Sequence, residues 1–176
     1  MNEIEEILFD QKTIEKKVKE LADQISKDYA GKEVVLIAIL KGAIVFMSDL
    51  MRHLSIPILI DFVQVSSYGA STTSSGVITL KKDIDTEISG KDVLLIEDII
   101  DYGYTLDYLL KKFKERNPKS LKICCFLDKK ARRKVEVPLA YKGFEVPDKF
   151  IVGYGLDFAE KYRNLPYIAT LKASVG

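Results

Sequence analysis

Histidine is almost missing from this chain: His53 is the only one in 176 residues. That excludes a multi-histidine metal site and, unless His53 itself serves, histidine-based activation of a nucleophile. His53 follows Arg52 at the end of an expected helix, where capping or solvation suits it. Cysteine is nearly as scarce. Cys124 and Cys125 are adjacent in an apolar segment. Neighbours on a strand point to opposite faces, so a mutual disulfide or a shared metal does not fit, and two buried thiols in a reducing compartment are expected. No apolar run approaches the roughly 20 residues of a transmembrane helix, and the acidic stretch from Met1 to Asp10 lacks a signal-peptide pattern. The expectation is a cytoplasmic protein with no membrane partner. A net charge of +1 supplies no field to gather nucleic acid.

The apolar fraction of 47% and charged fraction of 30% suit one soluble domain over residues 1–176. Ile14, Val18, Leu21 and Ile25 step at helical spacing, with Asp10 or Thr13 as cap. Glu33 to Leu40 is a buried strand, Lys41-Gly42 a tight break, and Ala43 to Leu54 a helix. Pro57 to Val65 and Val77 to Lys81 read as strands flanking a Ser/Thr-rich loop, Ser66 to Gly76, which suits either a hairpin connection or a lid. Asp83 to Lys91 reads as a polar turn. Leu121 to Leu127 and Tyr167 to Lys172 are further strands, and the basic run Asp128 to Lys134 reads as a solvated connection unless a ligand binds there. Alternating helices and strands predict an α/β protein.

One stretch carries the chemistry. Val93 to Ile96 is apolar, as a strand buried on both faces must be. Glu97, Asp98 and Asp101 follow, then Tyr102, Gly103, Tyr104 and Thr105, and Leu106, Leu109, Leu110 and Phe113 recur at helical spacing. Ligands of open α/β sheets bind at strand carboxyl ends. Gly103 permits a sharp turn, Thr105 offers a cap and a hydroxyl, and the free N–H groups of a first helical turn suit a phosphate. Carboxylates beside a phosphate cradle repel phosphate unless they bind sugar hydroxyls or Mg²⁺. The set favours a phosphorylated sugar.

This segment resembles the phosphoribosyl-pyrophosphate (PRPP) signature of the type I phosphoribosyltransferases, and the chain from about Glu33 to Arg163 is similar to their 6-oxopurine, hypoxanthine-guanine branch. Leu40-Lys41-Gly42 resembles that branch's pyrophosphate loop. Ser67-Tyr68 matches its catalytic loop dipeptide. Gly143 to Asp157 matches its purine-binding segment, and Arg163 a pyrophosphate-binding arginine. Tyr102 departs from the pattern, which has Thr or Ser there. A side-chain hydrogen bond to the 5′-phosphate, worth about 1.5–3 kcal/mol, is expected to be lost or remade, leaving phosphate binding weakened or rearranged rather than abolished.

The resemblance implies a mostly parallel central sheet flanked by helices, with a core over about 33–128 and a small hood built from the N-terminal segment and about 129–176. It implies transfer of the 5-phosphoribosyl group from PRPP to N9 of hypoxanthine or guanine, with release of pyrophosphate, Mg²⁺ as cofactor and a homodimer or homotetramer. Glu97 and Asp98 would hold the ribose hydroxyls, directly or through metal. Asp101, Tyr102, Gly103, Tyr104 and Thr105 would hold the phosphoribosyl group, and Asp101 would also act at purine N7. Lys41, Gly42 and Arg163 would bind pyrophosphate, and the Leu40–Lys41 peptide is expected to be cis. Lys129, or Lys130 if the match slips by one, would donate to the purine 6-oxo group. Phe150 would stack on the base beside Ile151 and Val152, and Asp157 would join Glu97 and Asp98 at the metal. Ser67 and Tyr68 would close over the site. Two other readings stand beside this one: a PRPP-binding regulatory protein on the same fold, and a receiver-like domain with Asp98 as phosphate acceptor.

Overall fold

The computed structural model describes residues 3–68 and 77–172, the side chains of Ser67, Tyr68 and Val77 excepted. The chain starts with strand β1 (Ile4–Phe9), and helix α1 (Gln11–Asp28) follows at once. The Asp10 carboxylate accepts the Thr13 N–H at 2.8 Å, which closes the first turn of α1 and holds that carboxyl below its usual range. Asp10, not Thr13, is the cap. The face of α1 carrying Ile14, Val18, Leu21, Ala22 and Ile25 is buried. Each such aliphatic side chain contributes about 1.5–3 kcal/mol by leaving water.

Strand β2 (Val34–Leu40), helix α2 (Ile44–His53), β3 (Ile58–Tyr68), β4 (Val77–Lys82), β5 (Asp92–Ile100), α3 (Tyr104–Lys114), β6 (Ser120–Asp128) and β7 (Tyr141–Glu145) build a six-stranded sheet, in the order β4-β3-β2-β5-β6-β7. All neighbours are parallel except β4 against β3. Period-two alternation divides β2 and β5 between two cores. Val34, Leu36, Ala38, Leu94 and Ile96 pack with α1 and α2. Val35, Ile37, Ile39, Val93 and Leu95 pack with α3. The two cysteines obey the same rule: Cys124 belongs to the first core and Cys125 to the second, both as buried free thiols. His53 sits exposed in the last turn of α2.

A second, antiparallel sheet joins β1, β9 (Ile168–Leu171) and β8 (Ile151–Val152), in the order β1-β9-β8. Strand β7 belongs to the large sheet rather than to this one. Among the described residues, no helix is long and apolar enough to cross a membrane.

Three sequence expectations need correction. The stretch from Asp83 to Lys91 is not simply a polar turn: Ile84 and Ile88 are buried in the second core, and the buried Asp61 carboxylate accepts the N–H groups of Asp85 (2.9 Å) and Thr86 (2.7 Å). Thr105 does not cap α3. Gly103 takes the cap position at φ 94°, with no side-chain hydrogen bond. Strands β1, β7 and β8 have no counterpart among the expected strands.

Candidate active site

Strands β2, β5 and β6 run parallel, so their carboxyl ends meet on one edge of the sheet. Lys41-Gly42, Glu97 and Asp98, the turn from Asp101 to Thr105, and Lys129 lie at these strand ends. On β5, Val93 and Leu95 face α3 while Leu94 and Ile96 face α2. Continued alternation would send Glu97 and Asp98 to opposite faces, yet the two remain in contact, because the Asp98 N–H donates to Glu97 Oε1 at 3.2 Å. Burial and the neighbouring Asp98 push Glu97 well above the usual carboxyl range. Burial also raises Asp98, opposed by hydrogen bonds, among them the Ile99 N–H at 2.7 Å, and by the charge of Arg163. Such a pair binds protons, a cation or hydroxyl donors more readily than it stays doubly charged.

The Asp98 carboxylate lies against the turn after β2. A Cβ on Gly42 would stand 1.7 Å from Asp98 Oδ2 and 2.6 Å from its Cγ. Only glycine allows this approach. The peptide before the turn, Leu40–Lys41, is cis. On the far side of Gly42, its carbonyl meets Gly155, where a Cβ would come within 2.2 Å of that oxygen and φ is +99°. Gly155 belongs to a backbone hairpin: its N–H donates to the Arg163 carbonyl at 3.0 Å, and Tyr154 donates to Leu165 at 2.9 Å. Tyr154 also anchors the hairpin to α2, because its hydroxyl donates to Asp49 Oδ2 at 2.7 Å. The hairpin carries Asp157, Glu160 and Arg163. Arg163 Nη2 pairs with Asp157 Oδ1 at 2.9 Å, and Lys41 Nζ with Glu160 Oε2 at 2.9 Å.

Beyond β5 the chain turns at Asp101-Tyr102-Gly103. Among the described residues, none accepts from the N–H groups of Gly103, Tyr104, Thr105 or Leu106, while the Tyr102 carbonyl accepts from Lys134 (3.0 Å) and Val135 (2.9 Å). Unsatisfied donors at a helix start, preceded by a left-handed glycine, form an anion cradle. The Tyr102 and Tyr104 rings are both exposed and lie 6.2 Å apart, centroid to centroid. Thus the Tyr102 hydroxyl, at the far end of its ring, does not replace the short hydroxyl of a Thr or Ser beside the backbone.

The end of β6 supplies Lys129. It is 5% exposed, and its Nζ lies 3.2 Å from Asp101 Oδ1. Lys130 is exposed. Phe150 holds a half-exposed ring edge-to-face with Phe158, 5.1 Å between centroids, while Ile151 and Val152 are buried in the small sheet. Ser66, Ser67 and Tyr68, expected in the loop, instead end strand β3, paired with Thr79, Ile78 and Val77; the side chains of Ser67 and Tyr68 and all of residues 69–76 lie outside the described residues.

The sequence profile of the phosphoribosyl transferase domain matches residues 5–159. The chain belongs to that family. It is 50% identical over 174 residues to the hypoxanthine-guanine phosphoribosyltransferase of Bacillus subtilis, covering 99% of this chain and 97% of the relative. It is 52% identical over 171 residues to the one from Dictyostelium discoideum, covering 95% of each. Among solved structures, a hypoxanthine phosphoribosyltransferase from Staphylococcus aureus superposes with a TM-score of 0.95 at 46% identity, covering 99% of this chain and 95% of that one. A hypoxanthine-guanine phosphoribosyltransferase from Bacillus anthracis gives 0.93 at 52% identity, covering 97% and 100%.

In phosphoribosyltransferase terms, the fold gathers at one sheet edge the paired acids, the Lys41-Gly42 turn, the N–H turn at Gly103 and the Asp101–Lys129 pair. It does not gather Glu97, Asp98 and Asp157 into one ligand cluster: among the described residues, no group of three or more His, Cys, Asp or Glu side chains is placed to hold a metal ion. That also argues against a receiver-like acidic pocket at Asp98. Sequence reasoning missed the contacts of Glu160 with Lys41 and Arg163, and the role of Gly155. The Gly-Tyr-Gly spacing was the available signal for the latter.

Proposed function

We propose that this phosphoribosyltransferase moves the 5-phosphoribosyl group from PRPP to N9 of hypoxanthine or guanine, forming the nucleoside 5′-monophosphate and releasing pyrophosphate. The observation that carries the reading is the junction at Asp101. Its backbone opens the N–H turn suited to a 5′-phosphate, while its carboxylate faces the buried Lys129. A phosphoribosyl donor on one side and a base on the other would meet there. Identity of about 50% across nearly the whole chain with proteins named for this transfer disfavours the binding-only alternative.

The N–H groups from Gly103 to Leu106 hold the 5′-phosphate. Glu97 and Asp98 take the ribose hydroxyls, which donate to carboxylates. Lys41, the Gly42 backbone and Arg163 receive the pyrophosphate. For this, Lys41 and Arg163 exchange Glu160 and Asp157 for phosphate oxygens. On the acceptor side, Phe150 stacks on the purine and Lys129 donates to its 6-oxo group, a preference that adenine, with an amino donor there, does not meet. The burial of Lys129 beside Asp101 supports it over the exposed Lys130 for this role. Asp101 holds the proton at N7 as charge develops in the ring.

The donor set fits Mg²⁺. Glu97 and Asp98 offer hard oxygens, and burial, joined at Glu97 by the neighbouring Asp98 charge, raises both carboxyl groups above their ordinary range, so a cation that stabilises the ionised pair is favoured there. Two protein carboxylates suffice, because Mg²⁺ normally completes its shell with water and substrate phosphates. Asp157 would join through water. When bound, the ion neutralises the charge that collects on the departing pyrophosphate.

The small sheet acts as a hood over a core of about 33–128, to which α1 and β7 from outside that range are added, in one domain that assembles as a homodimer or homotetramer in the cytoplasm, with no nucleic-acid or membrane partner. The test is direct. Protein, PRPP and Mg²⁺ are mixed with hypoxanthine, guanine, xanthine or adenine, and nucleotide formation is followed. Product with hypoxanthine or guanine, and none with adenine, is expected. No product with any base would overturn the reading.

A further inference from the structure

The basic run after β6 reads in sequence as solvated surface, but Arg133 does not behave that way. Its side chain is 6% exposed and its Nη2 pairs with the equally buried carboxylate of Asp128, the last residue of β6. From that anchor its Nε donates to the Asp101 carbonyl at 3.2 Å. The next two N–H groups, of Lys134 and Val135, both donate to the Tyr102 carbonyl. The Val135 carbonyl then fills the space beside Gly103, where a Cβ would come within 2.3 Å of it. Three consecutive residues, 133 to 135, therefore grip three consecutive residues of the turn, 101 to 103.

We infer that Arg133 is a positioning residue for phosphoribosyl transfer: anchored on Asp128, it sets the backbone of the Asp101–Gly103 turn, and so aims the phosphate-binding N–H groups and the Asp101 carboxylate together. The inference rests on the transfer reading above. A guanidinium is the group this task needs. Its planar fork directs Nε and Nη2 along fixed vectors, so one side chain holds a carboxylate and a carbonyl at once. Lysine, with one ammonium on a flexible stem, satisfies the carboxylate alone. The same anchor controls the base side. Asp128 immediately precedes Lys129, whose own N–H donates to the Ile100 carbonyl at 3.0 Å. One ion pair thereby keeps the donor turn and the base-side lysine in a common frame.

The experiment compares wild type with Arg133→Lys, which keeps the charge beside Asp128. The expected variant has an unchanged thermal midpoint and a kcat/KM for PRPP lower by about 10–100-fold, since a misplacement near 1 Å costs about 100-fold. Inhibition by pyrophosphate alone should be unchanged, because Lys41, Gly42 and Arg163 reach that subsite from other segments. A stable variant with wild-type kcat/KM overturns the inference, and so does a loss matched by an equal loss of pyrophosphate affinity. If the variant does not fold, amide exchange in wild type decides: the Lys134 and Val135 amides should slow when IMP or GMP binds and not when pyrophosphate binds. Unchanged exchange in the nucleotide complex overturns the inference. Wild type that forms no nucleotide sinks the transfer reading itself, whereas active wild type with an indifferent Arg133→Lys sinks only this step.

Discussion

Gly42→Ala adds one methyl group and tests how the donor half of the site is assembled. The new Cβ would stand 1.7 Å from Asp98 Oδ2 and 2.6 Å from Asp98 Cγ. A tolerable contact is near 3.4 Å, so the carboxylate has to swing by more than 1 Å. Asp98 is a short side chain, and its Oδ1 is already committed to the Ile99 N–H at 2.7 Å. The swing gives up that charge-assisted bond, at about 1.5–3 kcal/mol, and forces the side chain from its rotamer, at about 0.5–1.5 kcal/mol. Stability should therefore fall by about 2–4 kcal/mol, which for a domain of this size lowers the thermal midpoint by roughly 4–16 °C. The functional loss should be larger than a stability loss alone explains. Asp98 would no longer meet the ribose hydroxyls, and a 1 Å misplacement is worth about 100-fold. Steady-state assays well below the new midpoint, paired with calorimetry, measure both effects. A folded Gly42→Ala enzyme with kcat/KM for PRPP close to wild type would refute the argument that Asp98 and the Lys41-Gly42 turn work as one unit.

Tyr102→Thr should tighten PRPP. A hydroxyl restored beside the turn adds a hydrogen bond to the phosphate worth about 1.5–3 kcal/mol, and the KM for PRPP should fall by roughly 10-fold or more; no change in KM would mean the backbone N–H groups already satisfy the phosphate. Glu97→Gln should change the pH dependence of stability. The folded pKa of Glu97 lies above its ordinary value of 4.5, so over that window the folded wild type binds more protons than the unfolded chain, and its stability falls as pH rises from 4.5 through the folded pKa. Denaturant unfolding across that range should show the variant gaining on wild type with rising pH, and parallel curves would contradict a strongly raised Glu97.

The strands of the large sheet were legible because they are buried on both faces. Val34 to Leu40 and Val93 to Ile96 need no polar alternation, so they stand out as continuous apolar runs. Strand β1 was not legible. Only Ile4, Leu8 and Phe9 are even partly covered, and its partner, β9, lies some 160 residues away at the other end of the sequence. Strand β7 hid for a related reason: Gly143 sits in its middle, pressed against the Phe126 carbonyl, where a Cβ would come within 2.4 Å. The motif residues of the site were readable by resemblance, but the contacts that hold them were not. No pattern in Asp128-Lys129-Lys130-Ala131-Arg132-Arg133 distinguishes the buried Arg133 from its exposed neighbour Lys130. The difference arises only once β6 places Asp128 in the interior.

The site is built from loops that follow four different strands, and loops alone position groups poorly. Here the backbone of one loop presses against the backbone, or in one case the Asp98 carboxylate, of another segment. Gly42 meets Asp98 on one side and Gly155 on the other, while Gly103 meets Val135. At each of these contacts a glycine removes the Cβ that would keep two segments apart. Arg133 and Tyr154 then tie the joined segments to Asp128 on β6 and Asp49 on α2. The donor half and the base half thus share one frame through short contacts that leave no room to shift independently. Substitutions at these glycines should therefore damage both halves together, whereas losses at Phe150 should fall on the base alone.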